Sequence, residues 1–303
     1  MKTVLITGGS GLVGMRLSAL LLEKGYIVAH LSRTSRAIPG IQNYCWDIEK
    51  QKVDAEALEK ADFIVHLAGE SIVAKKWTSS RKAAIVNSRV KSLELLNKAI
   101  STSHHKPEAL ISASAIGYYG FSSAEKIFSE SNAPGVDFAA TTCVAWENAA
   151  LTFEQKMRTV RIRLGIVLSA TGGALPQMAL PIKLFVGSAI GSGNQYVPWI
   201  HIDDVCYIFI KAIEDTQMKG VYNAVAPHQA ITQKMLTKTL AGVLQRPLFL
   251  PRVPEFLMKI ILGSRAYLVL NGNRVSAEKL EQTGFHFVFT DLKSALKNIY
   301  KHS

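Results

Sequence analysis

Thr3-Val4-Leu5-Ile6-Thr7-Gly8-Gly9-Ser10-Gly11-Leu12-Val13-Gly14 is the stretch that decides the fold. A short β-branched run passes directly into a G-x-G-x-x-G turn. Beyond it Val13, Leu17, Leu20 and Leu21 recur at helical spacing as far as Gly25, which stands where a helix C-cap is expected. In that strand-turn-helix context the spacing has a physical meaning. Gly9 permits the tight turn, Gly11 lets the backbone approach a pyrophosphate, and Gly14 lets the helix pack closely on the strand. The unpaired N–H groups of the first helical turn then face an anion. Gly8, Gly9, Ser10, Gly11, Leu12, Val13 and Gly14 are therefore the expected dinucleotide-binding turn.

At the end of the second expected strand, proteins that bind NAD usually place a carboxylate for the ribose 2′-hydroxyl. Here the residues are Leu31-Ser32-Arg33-Thr34, with Arg36 close behind. A carboxylate would repel a 2′-phosphate, whereas a guanidinium binds it through two charge-assisted hydrogen bonds. The expected cofactor is NADP(H), the alternative for Arg33 being a solvated surface charge. Asp47, just past the third strand, suits either an adenine amino group or a cap of a turn or helix.

Outward from this unit, β-branched runs alternate with longer periodic segments, the pattern of βα units winding a parallel sheet. Strands are expected at 3–7, 26–31, 43–46, 62–67, 109–114 and 159–168, and further helices at 54–61, 79–100, 137–157 and 203–213. After residue 168 glycines and prolines mark a loop-rich insertion, and prolines 227, 247, 251 and 254 break the later region into short helices. The expected fold is α/β, a Rossmann-like doubly wound parallel sheet with a small C-terminal substrate lobe. Residues 1–168, completed by about 195–225, form the dinucleotide domain; 169–194 and 226–303 form the lobe over the open end of the sheet.

The chain has 303 residues, 48% hydrophobic and 19% charged, which supplies a core and excludes disordered tails and fibres. Its net charge of +12 raises the question of nucleic acid. The basic residues are scattered, however, and no helix carries a continuous cationic stripe interleaved with aromatics, so no nucleic-acid partner is expected. Cys45, Cys143 and Cys206 are odd in number and widely spaced, which argues for reduced thiols and a cytoplasmic setting. The apolar stretch at 256–270 is interrupted by Lys259, Gly263, Ser264 and Arg265, so no membrane partner is expected; its other readings are lobe core or a surface for a partner.

Several further segments give the chain a family resemblance. They are His66-Leu67-Ala68-Gly69-Glu70, the run from Trp77 to Arg89, Ser112-Ala113-Ser114-Ala115-Ile116-Gly117-Tyr118-Tyr119-Gly120, Trp199-Ile200-His201-Ile202-Asp203-Asp204-Val205, and Leu270-Asn271-Gly272-Asn273-Arg274-Val275. Together with the glycine turn they resemble the extended short-chain dehydrogenase/reductase superfamily. The closer likeness is to its atypical nucleotide-sugar-epimerase-like proteins with a carboxy-terminal extension of unknown function. The resemblance implies backbone contacts to the cofactor from Leu67, Ala68 and Gly69, with Asn87 or Ser88 facing the same region. It also implies that Ser114 is the catalytic serine, donating to a substrate carbonyl or hydroxyl oxygen.

The superfamily normally uses Tyr-x-x-x-Lys for proton transfer, because the lysine lowers the tyrosine's pKa and holds the ribose. The matching positions here are Ala139 and Cys143, with Glu147 one turn further. The usual pair is missing. Tyr118 and Tyr119 follow Ser114 closely enough to line the same cleft and are the substitute acids; lid or packing roles are the alternatives. Cys143 has no partner base in the sequence and reads as a buried thiol. His201, Asp203 and Asp204 read as a strand end, an aspartate N-cap and a first-turn acid, so no metal is expected. Two functions follow: an NADP(H)-dependent oxidoreductase or epimerase-like enzyme acting on a small carbonyl, hydroxyl or nucleotide-sugar substrate, or a catalytically silent NADPH sensor. A homodimer is compatible with either.

Overall fold

The structure, a computed structural model, describes residues 1–34, 37–121, 126–227 and 230–301. β1 (Thr3–Thr7), α1 (Leu12–Glu23), β2 (Ile27–Ser32) and β3 (Ile41–Asp47) open the chain, and β4 (Lys52–Val53) turns back on β3. Then come α2 (Ala55–Glu59), β5 (Phe63–His66), α3 (Ser79–Thr102), β6 (Ala109–Ala115), β7 (Ile127–Phe128), α4 (Phe138–Leu151) and β8 (Arg158–Leu164). The remainder is β9 (Ile166–Leu168), α5 (Leu175–Lys183), β10 (Trp199–His201), α6 (Ile202–Glu214), β11 (Gly220–Ala224), α7 (Gln233–Val243), α8 (Glu255–Leu262), α9 (Tyr267–Leu270), β12 (Arg274–Val275), α10 (Glu278–Glu281) and α11 (Leu292–Lys301).

Eight strands form one sheet in the order β11-β8-β6-β5-β1-β2-β3-β4, parallel throughout except at the β3–β4 edge. All five positions of β1 are buried, as both faces of a central parallel strand require. From β1 the chain winds outward through β2 and β3, then returns and winds the other way through β5, β6, β8 and β11. The reversal falls between β1 and β5, and the crevice outside the carboxyl ends of such a pair is where open α/β sheets bind ligands.

The doubly wound α/β expectation therefore holds, with one local correction. The run expected as a single strand over 159–168 breaks at Gly165. A Cβ there would lie 2.6 Å from the carbonyl oxygen of Pro198 and 2.9 Å from Val225. This close crossing lets β8 stay in the main sheet while β9 pairs with β10 in a separate two-stranded sheet.

The main core gathers both faces of the large sheet. A second core joins α5, α7 and α11 through Leu175, Ile182, Leu236, Leu240, Leu296 and Ile299. Asp204 ties α6 to the carboxy-terminal segment, its buried carboxylate accepting the N–H groups of Val288 at 2.8 Å and Phe289 at 3.1 Å. The expected aspartate N-cap of α6 is corrected here. The helix starts one residue earlier than expected, so His201 is the cap and its Nδ1 accepts the N–H of Asp203 at 3.1 Å. Asp203 instead accepts from Arg16 of α1 at 2.6 Å. Among the described residues no helix is long and apolar enough to cross a membrane.

Candidate cofactor and active site

The glycine turn sits on the crevice between β1 and β5. Gly8 has φ of +69°, and a Cβ there would lie 2.8 Å from the backbone of Leu67 and Ala68. The left-handed residue of the turn is thus Gly8, not Gly9. Gly9 is constrained from beneath instead, since a Cβ on it would run into the imidazole of His30. A Cβ on Gly14 would meet the backbone of Gly9 at 2.6 Å, which is the close helix-turn packing expected of it. Gly11 stands at the N-cap of α1 with no side-chain cap, and the first turn carries no acid. The positive end of the helix is therefore uncompensated on the side where Ser10 and Gly11 are exposed. Leu12 turns toward Gly172 and Gly173 of the loop after β9, while Val13 packs against the main core.

Along the carboxyl edge, Arg33 stands past the end of β2 with its side chain 76% exposed, and its Nη1 lies 3.6 Å from Glu70. Glu70 is held mainly by Arg81, which donates to it at 2.9 Å. That hydrogen bond keeps the Glu70 carboxyl below the usual carboxylate range, with further pulls from the Arg81 and Arg33 charges. Asp47 accepts the N–H of Lys50 at 3.0 Å and so caps the turn after β3. Arg36 lies outside the described residues.

Past β5, Thr7 anchors the strand end: its carbonyl accepts from Leu67 at 3.0 Å and its hydroxyl from Ala68 at 3.3 Å. Gly69 presses on Arg89 of α3. Ser88 accepts the N–H of Glu70 at 2.9 Å and donates to the carbonyl of Ile85 at 3.0 Å, so its hydroxyl holds the loop that follows β5. Asn87 is exposed.

Beside β6 lies a buried polar network. Ser114 is 1% exposed and donates to Oε1 of Glu147 at 2.7 Å. Arg163 of β8 donates to the same carboxylate from Nε at 2.7 Å and Nη2 at 2.9 Å, and from Nη1 to the Tyr119 hydroxyl at 2.9 Å. Tyr119 in turn donates to Oδ1 of Asn223 at 2.7 Å. Burial opposes the charge on Arg163, but the Glu147 hydrogen bonds and charge outweigh it and the guanidinium's pKa is raised. Burial pushes the Tyr119 phenol up, against the opposing charge of Arg163. Tyr118 is only half-buried. Its ring lies over the Arg163 guanidinium at 3.4 Å, and among the described residues its hydroxyl has no hydrogen bond.

Ala139 and Cys143 line the same wall: a Cβ on Gly117 would lie 3.5 Å from the Ala139 Cβ and 3.7 Å from the Cys143 sulfur. Burial pushes the Cys143 thiol up to about 12, which leaves it protonated and unreactive at neutral pH. The strand order brings the glycine turn, Arg33, the β5 end, Ser114 and the tyrosines to one edge of the sheet. The contacts of Glu70, Arg81, Arg89 and Arg163 there were not among the expectations from sequence. The signal was present in the basic residues of 77–89 and 161–163, which read as scattered charge because their burial is set by strand order.

A model of the NAD dependent epimerase/dehydratase family matches residues 4–224, and a model of a domain of unknown function, DUF1731, matches residues 253–299. The Epimerase family protein YfhF of Bacillus subtilis (strain 168) is 35% identical over 299 residues, covering 98% of this chain and 97% of its own length. The crystal structure of human epimerase family protein SDR39U1 (isoform2) with NADPH superposes with a TM-score of 0.88 at 32% identity, over 99% of this chain and 100% of that one. The nucleoside-diphosphate sugar epimerase of Corynebacterium glutamicum superposes at 0.78 with 33% identity, over 97% of this chain and 57% of that one.

Proposed function

The chain belongs to the NAD dependent epimerase/dehydratase family, and on that premise we propose that it binds NADP(H) and transfers hydride between this cofactor and a small carbonyl-, hydroxyl- or nucleotide-sugar substrate. The observation that carries the cofactor half is the pairing of an uncapped α1 amino terminus with an exposed guanidinium at the end of β2. The first suits a pyrophosphate and the second a 2′-phosphate. Gly8 to Gly14 would hold the pyrophosphate through backbone N–H groups, and Leu67, Ala68 and Gly69 would border the ribose. Ser88 would fix that border, and Asp47, whose carboxylate caps the turn after β3, would stand toward the adenine end. The three cysteines are all unpaired, which suits a reducing compartment such as the cytoplasm.

When bound, the nicotinamide supplies or accepts the hydride. The chain's own task is then the proton. Tyr118 carries the one phenol of the pair whose hydroxyl has no hydrogen bond among the described residues, and it serves as proton donor to a substrate oxygen on reduction. Ser114 is 1% exposed and directs its proton at Glu147, so the donation to a substrate oxygen expected of it is not made in this arrangement and it supports the site from below through that carboxylate. Titration with NADPH and NADH tests the reading: NADPH should bind tighter, and Arg33→Ala should erase most of that preference. Equal losses for both cofactors would remove the 2′-phosphate role of Arg33.

A second reading, a silent NADPH sensor, is favoured by one observation. Ser114 and Tyr119 are both committed inside the buried network, while Ala139 and Cys143 replace the usual proton-transfer pair. Incubation of the NADPH complex with carbonyl compounds and nucleotide sugars separates the two. Oxidation of NADPH supports the enzyme, and cofactor that binds but is never consumed supports the sensor.

A further inference from the structure

α8 and α11 lie in the same carboxy-terminal region, yet only α11 has its apolar side covered. Leu292, Ala295, Leu296 and Ile299 of α11 are buried in the second core, whereas no residue of α8 is buried. Met258 and Leu262 of α8 are half-buried, and the arc formed by Phe256, Leu257, Ile260 and Ile261 faces outward, with Phe256 65% and Ile260 71% exposed. The open face continues past the helix. Val253 donates its N–H to the carbonyl of Ala189 at 2.8 Å, Gly191 to that of Val253 at 2.8 Å, and Ser188 Oγ to that of Pro251 at 2.6 Å. This pairing with the loop after α5 brings the exposed Phe249 and Leu250 beside the exposed Leu184, Phe185 and Val186. An apolar face this extended marks a surface that meets another.

The charge around it is one-sided. Lys183, Arg246, Arg252, Lys259 and Arg265 stand against Glu255 alone in residues 180–193 and 246–265. Among the described residues none of the five forms an ion pair with a carboxylate. Arg246 instead lies over the Phe185 ring at 5.0 Å, and Arg252 donates to the Ser192 carbonyl at 3.0 Å. Unpaired cations beside protruding apolar side chains complement a surface that is negative outside and apolar within. A second copy docked face to face would set these cations against one another. A bound helix calls for a groove, and side chains as open as Phe249, at 73%, stand out from the surface rather than line one. We infer that this face lies on an anionic lipid bilayer, with Phe249, Phe256 and Ile260 entering the headgroup boundary and Arg252 and Lys259 meeting lipid phosphates. The charges that break the 256–270 stretch forbid it to span a bilayer and suit it to lie flat on one. The inference is independent of what the glycine turn binds.

Flotation of the intact chain with vesicles of phosphatidylcholine alone, and of equal parts phosphatidylcholine and phosphatidylglycerol, tests it. Wild type should bind the mixed vesicles at least about tenfold better than phosphatidylcholine alone, and high salt should weaken that binding. Phe256→Ser combined with Ile260→Ser changes two exposed side chains, so the double variant should melt with wild type yet bind the mixed vesicles about tenfold or more weakly. Lys259→Gln should weaken binding by about fivefold, whereas Lys52→Gln, the same charge change on the exposed edge strand β4, should stay within about twofold. Wild type that ignores both vesicles overturns the inference, as does equal binding by wild type and the double variant. Equal effects of Lys259→Gln and Lys52→Gln would reduce the attraction to net charge and overturn it too. Light scattering covers the nearest rival: a dimer that dissociates in the double variant would assign the face to a second copy and overturn the lipid reading.

Discussion

Arg163 grips Glu147 through two parallel hydrogen bonds, Nε to Oε1 at 2.7 Å and Nη2 to Oε2 at 2.9 Å, with both side chains buried. The pair joins α4 to β8 on the face of the sheet beside Ser114, whose hydroxyl donates to the same carboxylate. Breaking a buried pair from one side leaves the other charge stranded. Arg163→Met should therefore cost about 3–5 kcal/mol of stability. Arg163→Lys should rescue little of it, because an ammonium cannot reproduce the fork or reach the Tyr119 hydroxyl at the same time. Urea unfolding midpoints of the two variants check this, and a loss under about 1 kcal/mol for Arg163→Met would contradict it.

The glycine turn offers a cleaner separation of stability from binding. Gly9→Ala drives a methyl into His30, which should cost about 1–3 kcal/mol and displace the backbone that faces the pyrophosphate. Gly25 also has a left-handed φ, +83°, but nothing lies within 4 Å of a Cβ there. Gly25→Ala should therefore cost about 1–3 kcal/mol through strain alone and leave the cofactor site intact. Thermal unfolding with and without NADPH distinguishes them: both variants should melt earlier, yet only Gly9→Ala should lose the cofactor-induced rise.

These contrasts also mark what could be read in the sequence. The glycine turn and its flanking strand and helix are local in the chain, so their periodicity and spacing carry the information, and the first five expected strands fall within a few residues of those observed. What escaped is whatever depends on strand order. Glu147 and Arg163 lie 16 residues apart and Ser114 and Glu147 lie 33 apart, and they meet only because β8 pairs with β6 and α4 packs across both. The break at Gly165 needed Pro198 overhead, which no local pattern announces.

Two buried histidines and one buried aspartate give opposite pH dependences. Burial pulls His66 from 6.5 down to about 3 and His201 from 6.5 down to about 4. In both cases the neutral form is the folded one, so their contribution is full above pH 6.5 and lost as pH falls toward those values. Burial raises Asp204 from 3.8 to about 6. Its contribution is full below pH 3.8 and lost as pH rises to about 6. Between pH 4 and 6 the aspartate therefore cancels about one histidine, each group bearing about 1.4 kcal/mol per pH unit where it titrates in only one state. Asp204→Asn should lower stability throughout, and should also steepen the loss on acidification across this window. Stability curves at half-unit steps of pH test the slope, and an unchanged slope would remove Asp204 as the opposing group.

Tyr118 and Tyr119 are adjacent in sequence yet differ in every respect that bears on proton transfer. Tyr119 is buried, accepts from Arg163 and donates to Asn223, so Tyr119→Phe unpairs two buried partners at once. It should destabilise the protein by about 1–3 kcal/mol and disturb the Glu147–Arg163 pair. Tyr118 stacks its ring on the same guanidinium but leaves its hydroxyl unbonded among the described residues, and phenylalanine preserves the ring. Tyr118→Phe should hence unfold within about 0.5 kcal/mol of wild type and bind NADPH equally well. If Tyr118 provides the proton, the same variant should reduce substrate at least about 100-fold more slowly, the usual range for a lost general acid. Denaturation, NADPH titration and single-turnover oxidation of the bound cofactor, run side by side on both variants, read these expectations independently. A Tyr118→Phe protein that retains full turnover would take proton transfer away from this phenol, and a Tyr119→Phe protein as stable as wild type would mean that the buried network does not depend on its hydroxyl.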